Sequence, residues 1–138
     1  MLDSAKNRYN EKTMEKYCSY ISKWESSFIS VSEEILFLGK LLSSEIFEPN
    51  IPNLYERLQQ YSENLQELKN EKKTLENEVE KYKADISEKL EVNEGRKDSQ
   101  SNELHLQLKK KMKAFLNKFS KLKLDIFNFT GNILKKSR

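Results

Sequence analysis

Residues 14–42 read MEKYCSYISKWESSFISVSEEILFLGKLL, and this stretch decides the fold. Apolar residues recur in it at spacings of three and four, which places them on one side of an α-helix. They are Met14, Tyr17, Ile21, Trp24, Phe28, Val31, Ile35, Leu38 and Leu42. Because such a repeat drifts only slowly around the helix axis, long helices that carry it pack side by side. The stretch therefore predicts one helix of a bundle.

Two further stripes of the same kind follow along the chain. The second comprises Leu54, Leu58, Tyr61, Leu65, Leu68, Lys72, Leu75, Val79, Tyr82 and Ile86. The third comprises Leu108, Met112, Phe115, Phe119, Leu122, Ile126, Phe129 and Ile133. Three Gly, two Pro and 34% charged residues are typical of long solvated helices with few turns. The sequence predicts an all-α fold, an elongated antiparallel three-helix bundle or coiled coil.

The predicted helices form a single helical domain over residues 1–138. The expected segments are a first helix at about 3–48, a proline turn at 49–52, a second helix at about 53–91, a polar loop at 92–102 and a third helix at about 103–136. Pro49 and Pro52 end the first helix, because each disfavours helical geometry in the residue before it. Gly95 and the polar run after it indicate the loop, with Ser101 or Asn102 as the cap of the third helix.

The stripes also predict how the helices align. Antiparallel packing of the second and third helices at residue numbers that sum to 194 places Ile86 against Leu108 and Tyr82 against Met112. A sum of 103 for the first and second helices adds Ile21 to the Tyr82 layer. The charged contacts that follow are Asp85–Lys111, Glu78–Lys118 and the unfavourable Glu71–Asp125. Exposed pairs of this kind select a register more than they stabilise it.

No residue pattern indicates catalysis, a metal site or a cofactor. Cys18 and His105 are the only residues of their types, and a nucleophile normally needs a third orienting group and a pocket. The sequence contains no CxxC or HExxH spacing, and its glycines are isolated. We expect Cys18 on a helix flank, His105 at the ragged end of the third stripe, and a chain that is not an enzyme.

The third helix is strongly basic. Residues 103–138 carry ten Lys or Arg against two Asp or Glu, a balance of +8, whereas residues 1–48 and 53–91 are mildly acidic. Such a helix is a candidate surface for microtubules, anionic membrane or nucleic acid. The candidate polyanion contacts are Lys109, Lys110, Lys111, Lys113 and Lys118. The alternative is that these lysines pair with the two acidic helices.

Several large apolar residues lie off the core stripes. The candidate partner interface consists of Ile29, Leu36 and Phe37 on the first helix with Leu124, Phe127 and Leu134 on the third. The predicted alignment brings both groups into one patch near the proline turn. A cluster of exposed apolar residues on a soluble protein usually marks a contact surface. The alternative is a wide helix flank that thickens the core.

The chain resembles a spectrin-type repeat over about residues 14–136. The resemblance depends on Trp24 in the middle of the first helix, Leu41-Leu42-Ser43-Ser44 near its end, and the long hairpin of the second and third helices. The third helix departs from the family pattern, because it offers Phe115 and Phe119 where a tryptophan is common. The resemblance implies a three-helix bundle that acts as a cytoskeletal spacer or docking platform.

These patterns predict a non-enzymatic interaction or scaffold module of a cytoskeletal, spindle or centromere-type assembly. We expect a protein partner or self-association as a homo- or hetero-oligomer, weak polyanion binding at most, and neither a small-molecule substrate nor a cofactor. The sequence shows no signal peptide or transmembrane segment, which favours an intracellular location, cytoplasmic or nuclear. Two alternatives stay open: a peripheral binder that acts through the basic third helix, and helices that join a larger hetero-oligomeric coiled coil.

Overall fold

The computed structural model of the chain describes the backbone of residues 2–92 and 99–134, and the side chains of residues 12–88 and 102–134. It contains three α-helices: α1 at Leu2–Leu42, α2 at Leu54–Val92 and α3 at Ser99–Asn132. The helices pack against one another, and the described residues form no β-structure beyond one bridge between Phe47 and Leu134. The predicted all-α three-helix bundle is confirmed.

Helix α1 ends six residues earlier than predicted. The hydroxyl groups of Ser43 and Ser44 donate to the backbone carbonyls of Gly39 and Leu41, over 3.0 and 2.8 Å. Side chains that bond to their own backbone in this way compete with the helical hydrogen bonds. The chain therefore leaves the helix at this serine pair, before it reaches the prolines.

The connection from α1 to α2 is packed onto the bundle. Phe47 is buried in a cluster with Leu54 and Ile133, and the backbone N–H of Glu48 donates to the carbonyl of Ile133 over 2.9 Å. Burial of Phe47 explains why the helix stops early, because the extended chain brings this ring into the core. Asn53, just before α2, has a φ of 57°, a conformation that asparagine tolerates better than most residues.

The bounds of α3 also differ from the prediction. The helix begins at Ser99 instead of 103 and ends at Asn132 instead of 136. Neither Ser101 nor Asn102 is its cap, since both lie inside it, and the Asn102 side chain accepts a hydrogen bond from the Tyr17 hydroxyl over 3.0 Å. Residues 93–98 of the predicted loop and residues 135–138 lie outside the described part of the chain.

The helices divide into two compact units. Unit 1 consists of Met1–Phe28 with Lys73–Lys113, and unit 2 consists of Ile29–Lys72 with Ala114–Arg138. Most members of the predicted stripes are buried, and the others are half-buried: Ile35, Leu58, Tyr61, Lys72, Leu122 and Phe129. The stripes therefore identified the core of each unit. His105, Phe47 and Thr130 are buried in addition.

The predicted register of α2 against α3 is wrong by one heptad. In unit 1 the Nζ of Lys111 lies 3.2 Å from the carboxylate of Glu78, and in unit 2 the Nζ of Lys118 lies 3.2 Å from that of Glu71. The predicted partners were Asp85 for Lys111 and Glu78 for Lys118. A shift of seven residues keeps the apolar stripes facing each other, so the stripes alone permit both registers. The observed register gives Glu71 a lysine partner in place of the repulsive Asp125.

Crosslinking distinguishes the two registers. In a Cys18→Ser background, we expect Glu78→Cys with Lys111→Cys to react with a short bismaleimide much faster than Asp85→Cys with Lys111→Cys. The reason is that one heptad displaces a residue by about 10 Å along a helix. Intact-mass spectrometry of the intramolecular product measures both rates. Faster closure of the pair that contains Asp85→Cys would contradict the structure.

Candidate partner-binding surface

The six predicted interface residues are all exposed, and all belong to unit 2. The exposed fractions are 62% for Ile29, 61% for Leu36, 58% for Phe37, 59% for Leu124, 41% for Phe127 and 43% for Leu134. Single exposed apolar side chains are ordinary, whereas several that lie together on one surface indicate a contact surface.

Three of these residues, Phe37, Leu124 and Phe127, lie on the flank that α1 shares with α3. The ion pair between Glu34 and Lys123, at 3.0 Å, identifies this flank. Phe37 follows Glu34 by three residues and Phe127 follows Lys123 by four, so each lies on the same side of its helix as its charged neighbour. Leu124 lies three residues before Phe127, on the same side of α3. Leu134 follows the end of α3 and pairs with Phe47 in the β-bridge, so the prediction that it lies on the third helix is wrong.

The other two residues lie on the opposite flank of α1. Leu36 lines a cleft between α1 and α2, together with Gly39 on α1 and Leu65 on α2. Ile29 precedes Leu36 by one heptad and therefore shares its side of the helix. The prediction of one patch formed by the first and third helices is wrong in this respect, because the apolar set divides between two flanks of α1.

The basic residues of α3 are largely engaged within the chain. Lys111 and Lys118 form the ion pairs with Glu78 and Glu71, and the Nζ of Lys109 lies 5.1 Å from the centre of the Tyr20 ring. The hydrogen bond and charge of Lys109 lower the pKa of the Tyr20 hydroxyl. The two remaining candidates, Lys110 and Lys113, are exposed. Exposed ion pairs contribute only about 0.2–1 kcal/mol each to stability. These contacts therefore orient the lysine side chains but bind them weakly.

His105 is the centre of a buried aromatic cluster in unit 1. Its side chain is 4% exposed, and the centre of its ring lies 4.4 Å from that of Tyr17, 5.0 Å from that of Tyr20 and 5.4 Å from that of Trp24. The Tyr82 hydroxyl lies 3.1 Å from its Nδ1. The expectation that His105 is the ragged end of a stripe is therefore wrong.

The surroundings of His105 favour its neutral form. Burial lowers the pKa of the imidazole, and the positive charges of Lys109 and Lys16 lower it further. Burial raises the pKa of the Tyr82 phenol, which therefore keeps its proton and can donate it to Nδ1. This hydrogen bond engages Nδ1 of the imidazole, and the Cys18 side chain is exposed, as predicted. The arrangement is that of a core, stabilised by stacked rings and one internal hydrogen bond.

Comparison with protein-family models, with curated proteins and with solved structures finds no match to this chain. Within residues 2–92 and 99–134, none of the helices has the length and apolar character required to cross a membrane. Among the described side chains, no group of three or more His, Cys, Asp or Glu residues is placed to hold a metal ion. The candidate functional surface is the exposed apolar set of unit 2.

Trp24 should be essential to the stability of unit 1. Its side chain is 6% exposed and packs on His105 and Tyr82. We expect Trp24→Ala to reduce the free energy of unfolding by about 3–5 kcal/mol, because it leaves a large cavity in the aromatic cluster. Urea unfolding followed by circular dichroism measures the loss. The control Tyr55→Ala removes a side chain that is 77% exposed and should change stability by less than about 0.5 kcal/mol. Equal effects would place Trp24 outside the core.

Stability should also depend on pH through His105. Its pKa in the folded chain lies below the 6.5 of an unfolded histidine, so the unfolded state takes up a proton first as pH falls. The contribution of neutral His105 to the free energy of unfolding is complete above pH 6.5. It declines as the pH falls through 6.5 toward the pKa of the folded chain. His105→Phe keeps a stacked ring but cannot titrate, and should remove this dependence. Urea midpoints measured at intervals between about pH 7.5 and 5.5 test this, since the chain has one histidine. The same slope in both proteins would show that His105 does not titrate as its burial requires.

Proposed function

We propose that this chain is a non-enzymatic helical interaction module, a scaffold component of an intracellular assembly of the cytoskeletal, spindle or centromere type. It binds partner proteins through the exposed apolar side chains of unit 2. The observation that supports this proposal is that all six candidate residues are 41–62% exposed and lie in that one unit, where Ile46 and Tyr55 are exposed as well. The resemblance to spectrin-type repeats is part of the same proposal. Those repeats are three-helix bundles that serve as docking platforms.

The size of the apolar set is sufficient for specific association. Complete burial of a Leu, Ile or Phe side chain contributes about 1.5–3 kcal/mol. These six side chains still expose roughly half of their surface, and a partner that covers several of them gains a comparable share for each. The gain must exceed the loss of translational and rotational freedom on association, which single exposed residues cannot offset. A partner must therefore cover several of these side chains on one flank of α1.

The alternative function is polyanion binding through the basic face of α3. The contacts of Lys109, Lys111 and Lys118 with groups of the same chain neutralise part of the charge of this face, while the lysines themselves stay exposed. In a second alternative, the helices form part of a larger hetero-oligomeric coiled coil. Burial of the stripe residues within a single chain favours a bundle closed in cis that associates through its outer surface.

Two matched variants distinguish apolar association from polyanion binding. Leu36→Asp with Phe127→Asp introduces two charges on the apolar set, and Lys110→Gln with Lys113→Gln removes two charges from the basic face. We expect the Asp variant to lose self-association in light scattering and partner recovery in quantitative affinity capture, while it keeps the helical content of the parent. The Gln variant should keep both. Apolar association should also persist at high salt, whereas polyanion contacts weaken steeply.

The opposite pattern would overturn the proposal. If the Gln variant loses its partners, if binding disappears between about 50 and 200 mM salt, and if the Asp variant behaves like the parent, the chain binds a polyanion through α3. Circular dichroism of both variants is the control for folding, because all four substituted side chains are exposed and should leave the core intact.

A further inference from the structure

Unit 2 contains an open cleft of about 320 Å³ between α1 and α2. Leu36, Gly39 and Ser43 line it from α1, and Ser62 and Leu65 line it from α2. Leu65 is 5% exposed and belongs to the core, whereas Leu36 is 61% exposed at the edge of the cleft. The surface thus offers an apolar strip between two helices.

Short side chains keep this cleft open. The other two helix seams of unit 2 are each bridged by an ion pair. These pairs are Lys123–Glu34 at 3.0 Å and Lys118–Glu71 at 3.2 Å. At the seam of α1 with α2, Gly39 and Ser62 both line the cleft, and a Cβ atom added to Gly39 would meet no atom within 4 Å. The groove is therefore accessible down to the helix backbone at Gly39.

The charged side chains that line the cleft are both positive. Lys40 belongs to α1 and Lys69 to α2, so each helix contributes one lysine beside the apolar strip. An apolar strip with flanking lysines is complementary to an amphipathic helix that carries Leu-type residues on one face and Asp or Glu beside them. Complementary charge of this kind selects partners and orients them more than it strengthens binding.

From this complementarity we infer that the cleft binds an acidic amphipathic α-helix of a partner protein. Residues from Ile35 to Leu42 span about 11 Å of α1, which matches two turns of a docked helix. The cleft is a groove between the side chains of two helices. A third helix can pack there, because helices place the side-chain ridges of one in the grooves of another. The inference rests on the proposed function, and it names the chemistry of one partner.

Selection from a peptide library tests the inference. Displayed peptides of about 20 residues carry Leu at the core positions of a helical heptad and random choices of Glu, Gln or Lys at the flanking positions. The full chain is the target. We expect the selected peptides to be enriched in Glu over Lys, and fluorescence anisotropy of a labelled peptide then gives its affinity for the chain and its variants.

The two helical glycines of unit 2 provide matched variants. Gly39→Leu fills the cleft and should weaken peptide binding by about tenfold or more. Gly131→Leu should leave it unchanged, since a Cβ at Gly131 also meets no atom within 4 Å and both substitutions favour the helix. Lys40→Glu with Lys69→Glu should reverse the preference, so that a Lys-flanked version of the peptide binds more tightly than the Glu-flanked one.

Three results would overturn the inference. They are the absence of any enriched peptide, peptides that bind the Gly39→Leu chain as tightly as the parent, and peptides enriched in Lys. A dimer of the parent chain that Gly39→Leu abolishes would also overturn it, because a second copy would then be the occupant. If Gly39→Leu has no effect on partner recovery while Leu36→Asp with Phe127→Asp abolishes it, the cleft is not the site and the proposed function stands.

Discussion

The hydrogen bond between Tyr82 and His105 is the constraint that fixes how α3 aligns with α2. Both side chains are buried, at 0% and 4% exposure, and a buried polar group without a partner costs about 1–3 kcal/mol. The register one heptad away places Met112 against Tyr82 and leaves the phenol without this acceptor. Both registers bury the apolar stripes, so this polar pair discriminates between them, as single polar residues do in coiled coils.

The register in turn determines what the surface offers. It brings Lys111 and Lys118 to carboxylates of α2, so that part of the positive charge of α3 is used within the chain. The apolar set of unit 2 is exposed in addition, with members on both flanks of α1. The net charge that the basic helix presents is thus smaller than its own composition implies, although its lysines stay exposed. The apolar set and the cleft are the features from which we argue function.

The sequence predicted the number of helices and most of the core, because a helical period reveals which residues share a face. It did not predict the end of α1, which depends on local bonds of Ser43 and Ser44 and on burial of Phe47. The register of α2 against α3 was not predicted correctly. The signal that the sequence offered was His105, which lies three residues before Leu108 and so continues the third stripe. Exposure of the six interface residues followed from the heptads, but their division between two flanks depends on the side of α1 that each neighbouring helix occupies, which heptads do not specify.

The contacts of the single histidine give the most direct test of the register. The protons of the His105 ring should show nuclear Overhauser effects to the Trp24 indole and the Tyr17 ring, whose centres lie 5.4 and 4.4 Å from that of the imidazole. Their chemical shifts should carry the ring-current displacement of a stacked aromatic cluster. Effects between the Met112 methyl group and the Tyr82 ring, together with solvent-like shifts for His105, would contradict the register and the surface derived from it.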